Sequence, residues 1–176
     1  VHNVARETSQ VHCFGNITSL SLFGFAVASI PFEITIKIRK SKTALVQRYK
    51  EITNYFERDG VEVKNGKCIL FKRVSADYKT QEGKPYETNW KIGETVSHPN
   101  WNPKENECGG GKFHACSRPY FCDEFRYNTG DRYIAIEIKK VDLFVWDNPS
   151  YPHKTAFRSG KVLFECDRFG EKIKNK

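Results

Sequence analysis

The sequence predicts an α+β protein that opens with a β-rich, repeat-like segment. Short β-favouring runs separated by small residues follow one another through residues 1–42, and Phe14-Gly15 recurs nine positions later as Phe23-Gly24. From residue 61 onward, strand-like runs alternate with turns and a short helical segment. That pattern is typical of a compact mixed α/β domain with a mainly antiparallel sheet.

The leader, residues 1–42, has strands at near-regular spacing, which indicates either the rungs of a β-solenoid or a small meander. The sequence contains no Met, so we expect the natural start to lie upstream. The outermost strand of such a segment has an open edge that can pair with another chain. We therefore expect this N-terminal β edge to join a homo-oligomer or a longer parent chain.

Residues 43–60 predict one amphipathic helix that connects the leader to the rest. Four apolar side chains fall on one helical face: Leu45, Tyr49, Ile52 and Phe56. Asp59-Gly60 ends the predicted helix, because glycine suits the left-handed position after a C-terminus.

Residues 61–171 predict the compact cysteine-containing domain, and 172–176 a basic tail. Asn65-Gly66 between β-forming residues predicts a hairpin, and a long polar connection spans 75–112. Ser117 and Pro119 predict the start of a short helix that runs to about Tyr127. Further predicted strands are 133–138, 142–146, which either extends the strand before it or is a separate strand, and 161–166.

Composition limits the classes of partner. The formal net charge is +8, which favours anionic partners such as nucleic acid or a nucleotide. No run of about 18 apolar residues occurs, so we expect no membrane span. The six cysteines are too sparse for a disulfide scaffold, and we interpret Cys13, Cys68 and Cys166 as buried thiols in a reducing compartment.

Residues 107–116, Glu-Cys-Gly-Gly-Gly-Lys-Phe-His-Ala-Cys, form the most unusual segment. The glycines, Gly110 among them, would let a ligand approach the backbone closely. Thiolate and imidazole are ligands that zinc prefers, so one hypothesis is a zinc site of four residues: Cys108, His114, Cys116 and His153. This requires the stretch 108–116 to fold inward, meet the segment near residue 153 and line a cleft with it.

The order of motifs in residues 61–171 resembles an uncharacterised domain of bacterial and phage proteins, which often follows repeats of the type Val-x-Ala-x-Gly-Asn-Ala. Its marks here are Phe71-Lys72-Arg73-Val74, Ile92-Gly93-Glu94-Thr95-Val96, Trp101-Asn102-Pro103, Glu107-Cys108-Gly109-Gly110-Gly111, His114, Asp131-Arg132-Tyr133-Ile134-Ala135, Pro152-His153-Lys154 and Val162-Leu163-Phe164-Glu165-Cys166-Asp167-Arg168. The leader, with Cys13-Phe14-Gly15-Asn16-Ile17, looks like a degenerate tail of such repeats. The resemblance implies a cytoplasmic or virion-associated protein.

A second resemblance, at the level of the fold, is to ADP-ribosyltransferase domains. It implies catalytic roles for Arg73, His114 and Glu137, with NAD as the cofactor. The order that carries it is a strand with a basic residue, a second strand with a polar residue, a short helix and a strand with a glutamate.

Three functions remain open from the sequence. The first is a binding module for nucleic acid or a nucleotide, with Lys72, Tyr78 and Gly110 at the ligand and further aromatic residues in the long connection. The second is the NAD-using transferase. The third is a structural or assembly domain carried on a β-solenoid.

Overall fold

The structure is a computed structural model. It describes residues 2–5, 10–12, 19–22, 27–31, 37–40, 42, 44–49, 55–105, 110–144, 151 and 153–174. The chain divides into two compact units, residues 1–54 and 55–176.

The described residues of the first unit form six short strands: β1 (His2–Ala5), β2 (Gln10–His12), β3 (Ser19–Leu22), β4 (Val27–Pro31), β5 (Lys37–Lys40) and β6 (Leu45–Tyr49). Alternate strands pair in parallel, so that β1-β3-β5 and β2-β4-β6 form two three-stranded sheets. His2 pairs with Ser19 and Ser19 with Lys37. A meander pairs successive strands antiparallel, so the described strands of the leader do not form one.

Apolar and small polar residues alternate in β3, and the apolar ones point to the interior of the leader. In β3, Leu20 and Leu22 are buried while the two serines between and before them are half-buried. Ala28 and Ile30 of β4 are also buried. Successive side chains of a strand point to opposite faces, so β3 and β4 each direct one apolar face to this interior. All four residues of β5 are exposed.

The predicted helix over 43–60 is wrong in its first part. Leu45–Tyr49 forms β6, which pairs with β4 over five positions. Among the described residues the helix α1 spans Tyr55–Asp59, and Ile52 lies outside the described residues. Leu45 and Tyr49 lie four positions apart, and this spacing places side chains on one face of a strand as well as of a helix. The boundary between the two units therefore falls at residue 54, not 42.

The end of α1 agrees with the prediction. Gly60 has a φ of 63°, its amide donates to Glu57 and the amide of Val61 donates to Phe56 at 2.8 Å. This pair of hydrogen bonds satisfies the last carbonyls of the helix.

The second unit is dominated by one antiparallel sheet. Its strands and those beside it are β7 (Val63–Lys64), β8 (Lys67–Val74), β9 (Lys79–Thr80), β10 (Thr88–Asn89), β11 (Thr95–Ser97), β12 (Phe113–Cys116), β13 (Arg132–Lys139), β14 (Leu143–Phe144), β15 (Lys154–Phe157) and β16 (Ser159–Cys166). The order is β11-β16-β13-β8-β12-β15-β14, with β7 on β8, and β9 and β10 pair separately. The predicted mainly antiparallel sheet is confirmed.

Several local predictions in this unit are confirmed. Asn65 and Gly66 have φ of 50° and 71° and connect β7 to β8, as the two-residue hairpin requires. The helix predicted after Ser117 is present as a 3-10 helix, Pro119–Glu124, with proline at its start. It ends before the predicted Tyr127, and its N-cap is Arg118, because the Ser117 hydroxyl donates to Asp59 instead. The residues predicted at 142–146 form a separate strand, β14, over their described part.

The connection over 75–112 contains less irregular structure than the sequence indicates, because β9, β10 and β11 lie within it. Trp90 is fully buried and its Nε1 donates to Thr80 Oγ1 at 2.9 Å. Gly111, with φ 98°, accepts a hydrogen bond from the Asn102 amide, and a Cβ there would lie 2.7 Å from Asn102 O. The connection is therefore held by hydrogen bonds within itself, by Trp90 in the core and by the pairing of β11 with β16.

The core of the second unit consists of twelve buried residues: Val61, Cys68, Leu70, Val74, Trp90, Phe113, Ala115, Ile134, Ile136, Ile138, Phe157 and Val162. Phe56 of α1 and Tyr78 pack against it. Cys68, Cys116, Cys122 and Cys166 are buried free thiols, as predicted for Cys68 and Cys166, while Cys13 lies outside the described residues. Within the described part of the chain, no helix is long and apolar enough to cross a membrane.

Candidate ligand-binding site

The site forms where β12 lies between β8 and β15. Phe113–Cys116 pairs antiparallel with Lys154–Phe157, and Cys116 also pairs with Phe71 of β8. The predicted meeting of the glycine-flanked stretch with the segment near residue 153 is therefore confirmed for residues 113–116. Cys108 and Gly109 lie outside the described residues.

A cavity of about 380 Å³ opens at this junction. Its walls come from β8, β12, the turn after β9, the 3-10 helix and the start of β15. The lining residues are Phe71, Lys72, Arg73, Thr80, Gln81, Glu82, Lys84, Tyr86, Thr88, Lys112, Phe113, His114, Ala115, Cys116, Cys122, Phe125, Arg126 and Lys154.

The cavity wall is strongly cationic. Of the described residues that line it, six are lysine or arginine and one, Glu82, is a carboxylate. Lys112 is only 2% exposed and Lys154 is also buried. Lys72 Nζ donates to the His114 main-chain oxygen at 2.8 Å and lies 5.0 Å from the centre of the Trp90 ring. Buried ammonium groups at one cavity create a positive potential that attracts an anion.

The pKa of His114 responds to this positive potential. Burial above all, and then the charges of Lys154, Lys72 and Lys112 in that order of size, together lower the pKa of its imidazole to about 2. His114 is therefore neutral in the physiological range, and the three lysines act on one point of the cavity. A neutral imidazole can both donate and accept a hydrogen bond.

Two guanidinium groups are fixed at the edge of the cavity by carboxylates. Arg126 binds both oxygens of Glu82, at 3.0 and 2.6 Å, and pairs with Asp131 at 3.1 Å. Arg73 pairs with Asp123 at 2.8 Å and with Asp131 at 3.4 Å. Both guanidinium groups are therefore held in place by carboxylates, which fixes their positions at the edge of the cavity.

The remaining wall is apolar. Phe113 packs edge-on against Trp90, with 4.8 Å between ring centres, and 5.5 Å from Phe157, which makes this wall part of the core. Burial and a hydrogen bond with Cys122 raise the pKa of the Cys116 thiol well above its ordinary value. A thiol held protonated is a poor nucleophile, which argues against Cys-His catalysis in this cavity.

The structure brings together only some of the predicted site residues. Arg73, His114 and Lys72 line the cavity. Tyr78 is instead a packing residue, with its hydroxyl donating to Glu165 at 2.5 Å. Gly110 is buried and is not a lining residue. Glu137 pairs with Lys67 at 2.9 Å and lines a different groove, of about 610 Å³.

The four-residue zinc hypothesis gains no support from the residues that the structure describes, among which no group of three or more potential ligands is close enough to hold a metal. His114 and Cys116 share the cavity, but His153 Nδ1 bonds Asp59 at 2.8 Å and its ring stacks on Phe121 at 3.7 Å. Cys108 lies outside the described residues.

The two lysines that most define the cavity, Lys112 and Lys154, were not predicted as site residues from the sequence. A signal was present for both, since each directly precedes or begins a run of β-forming and apolar residues, Phe113–Cys116 and Lys154–Phe157. Lysine is rarely buried in such runs unless it has a specific role. Nothing local in the sequence indicated that Arg126 would join them.

No protein-family model, no curated protein and no solved structure matches this chain. Function therefore rests on the chemistry of the cavity itself.

Proposed function

We propose that the second unit is a binding domain for a phosphorylated nucleotide. The single observation that carries this proposal is the group of three lysines, Lys72, Lys112 and Lys154, whose charges converge on His114 in one cavity. A phosphate group offers up to two negative charges and three acceptor oxygens, which matches several ammonium donors around one point.

The size and remaining walls of the cavity favour a nucleotide over a bare anion. Small-molecule sites occupy about 300–1,000 Å³, and this cavity has about 380 Å³. Phe71, Phe113, Phe125 and Tyr86 supply aromatic surface beside the lysines. A nucleotide combines an anionic group with a flat ring, and flat bases stack on aromatic side chains.

The arrangement favours binding over ADP-ribosyl transfer. That reaction, as the resemblance implies it, needs Glu137 beside the nucleotide, whereas Glu137 pairs with Lys67 and does not line the cavity. The Glu137→Gln variant therefore serves as a negative control, and it should bind nucleotides as the native chain does.

Isothermal titration calorimetry of the whole chain with AMP, adenosine and inorganic phosphate tests the proposal. We expect AMP to bind most tightly, phosphate more weakly and adenosine weakest of the three. Because one charge-assisted hydrogen bond contributes about 1.5–3 kcal/mol, Lys112→Met and Lys154→Met should each weaken AMP binding about 10- to 100-fold. Lys161→Met, at an exposed position of β16, is the matched control and should change little.

Salt provides a second measurement. Added NaCl should weaken AMP binding to the native chain, because ions screen the attraction, and the salt dependence should be shallower for Lys154→Met. If AMP fails to bind, or binds equally well to Lys112→Met and Lys161→Met, the proposal is wrong.

The leader supports a second, structural proposal: its coils are rungs of a β-solenoid with a role in assembly. The observation that favours it is the parallel pairing at 17 or 18 positions, His2 with Ser19, Ser19 with Lys37 and Val27 with Leu45. Among the described strands, β1 pairs on one side only. Proline lacks an amide donor and is unfavourable inside a paired strand, so Val4→Pro should disturb β1 and reduce concentration-dependent association in sedimentation velocity. A native chain that stays monomeric would contradict the assembly role.

A further inference from the structure

We propose that the natural ligand of the cavity is the phosphorylated end of a single nucleic-acid strand, with the adjoining base stacked outside on Phe125 and Tyr151. This inference rests on the proposed function and extends it from a nucleotide to a strand end. Two observations support it: the burial of Lys112 and Lys154, and the neighbouring rings of Phe125 and Tyr151 at the edge of the cavity.

The ring pair is exposed and continuous with the cavity. Phe125 lines the cavity and is 39% exposed, and Tyr151, which is not a lining residue, is 37% exposed. Their ring centres are 5.3 Å apart. Tyr151 therefore extends the aromatic surface of Phe125 beyond the residues that line the cavity.

Lys154 links this ring pair to the phosphate site. Its Nζ lies 4.3 Å from the centre of the Phe125 ring and 5.1 Å from that of Tyr151, while its charge also lowers the pKa of His114 inside the cavity. A ligand that reaches both has a phosphate and a neighbouring aromatic base. Consecutive nucleotides of one strand provide this combination.

The burial of Lys112 favours a chain end. This residue is 2% exposed, and the adjoining Phe113 is also buried. An internal phosphodiester has chain on both sides and needs room for both beside a buried lysine, whereas a terminal phosphate monoester has chain on one side only. The terminal group also carries a charge of about −1.5 to −2 at neutral pH, compared with one charge for a diester.

The test compares ligands that differ by one feature, titrated into the whole chain by calorimetry. The probes are thymidine 5′-monophosphate, a trithymidylate with a 5′-phosphate, the same trinucleotide with a 3′-phosphate, and one with hydroxyl groups at both ends. We expect a phosphorylated trinucleotide to bind about tenfold more tightly than the mononucleotide, since each stacked base contributes measurably. The two phosphorylated forms show which end enters.

Variants show which residues provide the additional affinity of the trinucleotide over the mononucleotide. Tyr151→Ala should reduce trinucleotide affinity to that of the mononucleotide and leave mononucleotide affinity unchanged. Phe144→Ala, at an equally exposed phenylalanine of β14 that does not line the cavity, should change neither. An unchanged thermal midpoint for Tyr151→Ala shows that the fold persists.

The outcomes separate this inference from the proposed function. If the mononucleotide does not bind, the proposed function itself fails. If it binds but phosphorylated trinucleotides bind no more tightly, or Tyr151→Ala leaves their affinity intact, the strand-end inference is overturned while the nucleotide site stands. Equal binding of the trinucleotide with two hydroxyl ends would also overturn it, because end recognition requires the terminal phosphate.

Discussion

Asp59 is a buried carboxylate on which three side-chain contacts of the second unit converge. It accepts hydrogen bonds from Ser117 Oγ at 2.5 Å and Arg58 Nε at 2.9 Å, and it bonds His153 Nδ1 at 2.8 Å. Burial raises the pKa of Asp59, but the contacts with His153, Arg58 and Ser117 outweigh burial and hold that pKa below its ordinary value. Asp59 thus joins the end of α1 to residues that flank β12 and β15.

Removing this carboxylate should destabilise the fold strongly. We expect Asp59→Ala to lower the free energy of unfolding by about 3 kcal/mol, because it leaves buried donors without their acceptor. The measurement is urea unfolding followed by circular dichroism. Glu62→Ala is the control, since the Glu62–Lys64 pair is exposed and should contribute less than about 1 kcal/mol. Similar losses in both variants would contradict the role given to Asp59.

Two buried histidines predict sensitivity to mild acid. Burial lowers the pKa of both His114 and His153 below the ordinary 6.5. The unfolded chain therefore takes up protons on these histidines as pH falls through 6.5 while the folded chain does not, so stability is full above that pH and declines below it.

The expected slope is at most about 1.4 kcal/mol per pH unit for each histidine. Between pH 6.5 and the onset of carboxylate titration, His114→Gln should show a shallower decline in unfolding free energy than the native chain. Urea unfolding at a series of pH values measures this. Parallel curves for the two proteins would show that His114 titrates normally in the folded state.

At the scale of elements, the long strands β13 and β16 pack closely against each other at Gly160. A Cβ added at Gly160 of β16 would lie 2.5 Å from Ile136 Cγ2 and 3.0 Å from Ile138 Cγ1. Both isoleucines are fully buried on β13. The register between β13 and β16 shifts between Ala135 and Ile136, so this glycine lies close to an irregularity of the pairing.

Two glycine substitutions separate packing from backbone strain. Gly160→Ala should lower the free energy of unfolding by about 2–3 kcal/mol, because the buried isoleucines have no room to move. Gly66→Ala, in the hairpin turn, meets no atom within 4 Å but has a φ of 71°, and we expect a cost of about 1 kcal/mol. Thermal or urea unfolding of the two variants measures the difference, and a smaller loss for Gly160→Ala would contradict the packing described for β16.

The elements that the sequence predicted well are those set by local chemistry. Asn65-Gly66 determines its own hairpin, and Gly60 ends α1, because both positions need a positive φ that few residues adopt. The strand Leu45–Tyr49 was predicted as helix because its apolar spacing fits both periods. Pairing with β4, a contact distant in sequence, decided between them.

At the scale of the whole molecule, the chain divides into two compact units. Each has buried apolar residues, Leu20, Leu22, Ala28 and Ile30 in the first and the sheet core in the second. Compact units of one chain commonly open as separate cooperative units.

Leu22→Asp should therefore unfold the first unit selectively. An aspartate buried among apolar side chains is strongly unfavourable, so we expect amide hydrogen exchange in β3–β6 to accelerate by orders of magnitude. Protection in β8, β13 and β16 should stay near native, as measured by exchange with mass spectrometry. Loss of protection across both sets of strands would show a single cooperative unit.

The sequence by itself determined the strand-rich composition, the antiparallel sheet, the turns at Gly60 and Asn65-Gly66, and an excess of positive charge suited to an anion. It did not determine where that charge is concentrated. Lys72, Lys112 and Lys154 lie far apart along the chain and converge only because β12 pairs with both β8 and β15, while the same topology separates Glu137 and His153 from His114. Local propensity depends on neighbouring residues, but a binding site depends on which distant strands pair, and only the tertiary structure contains that information.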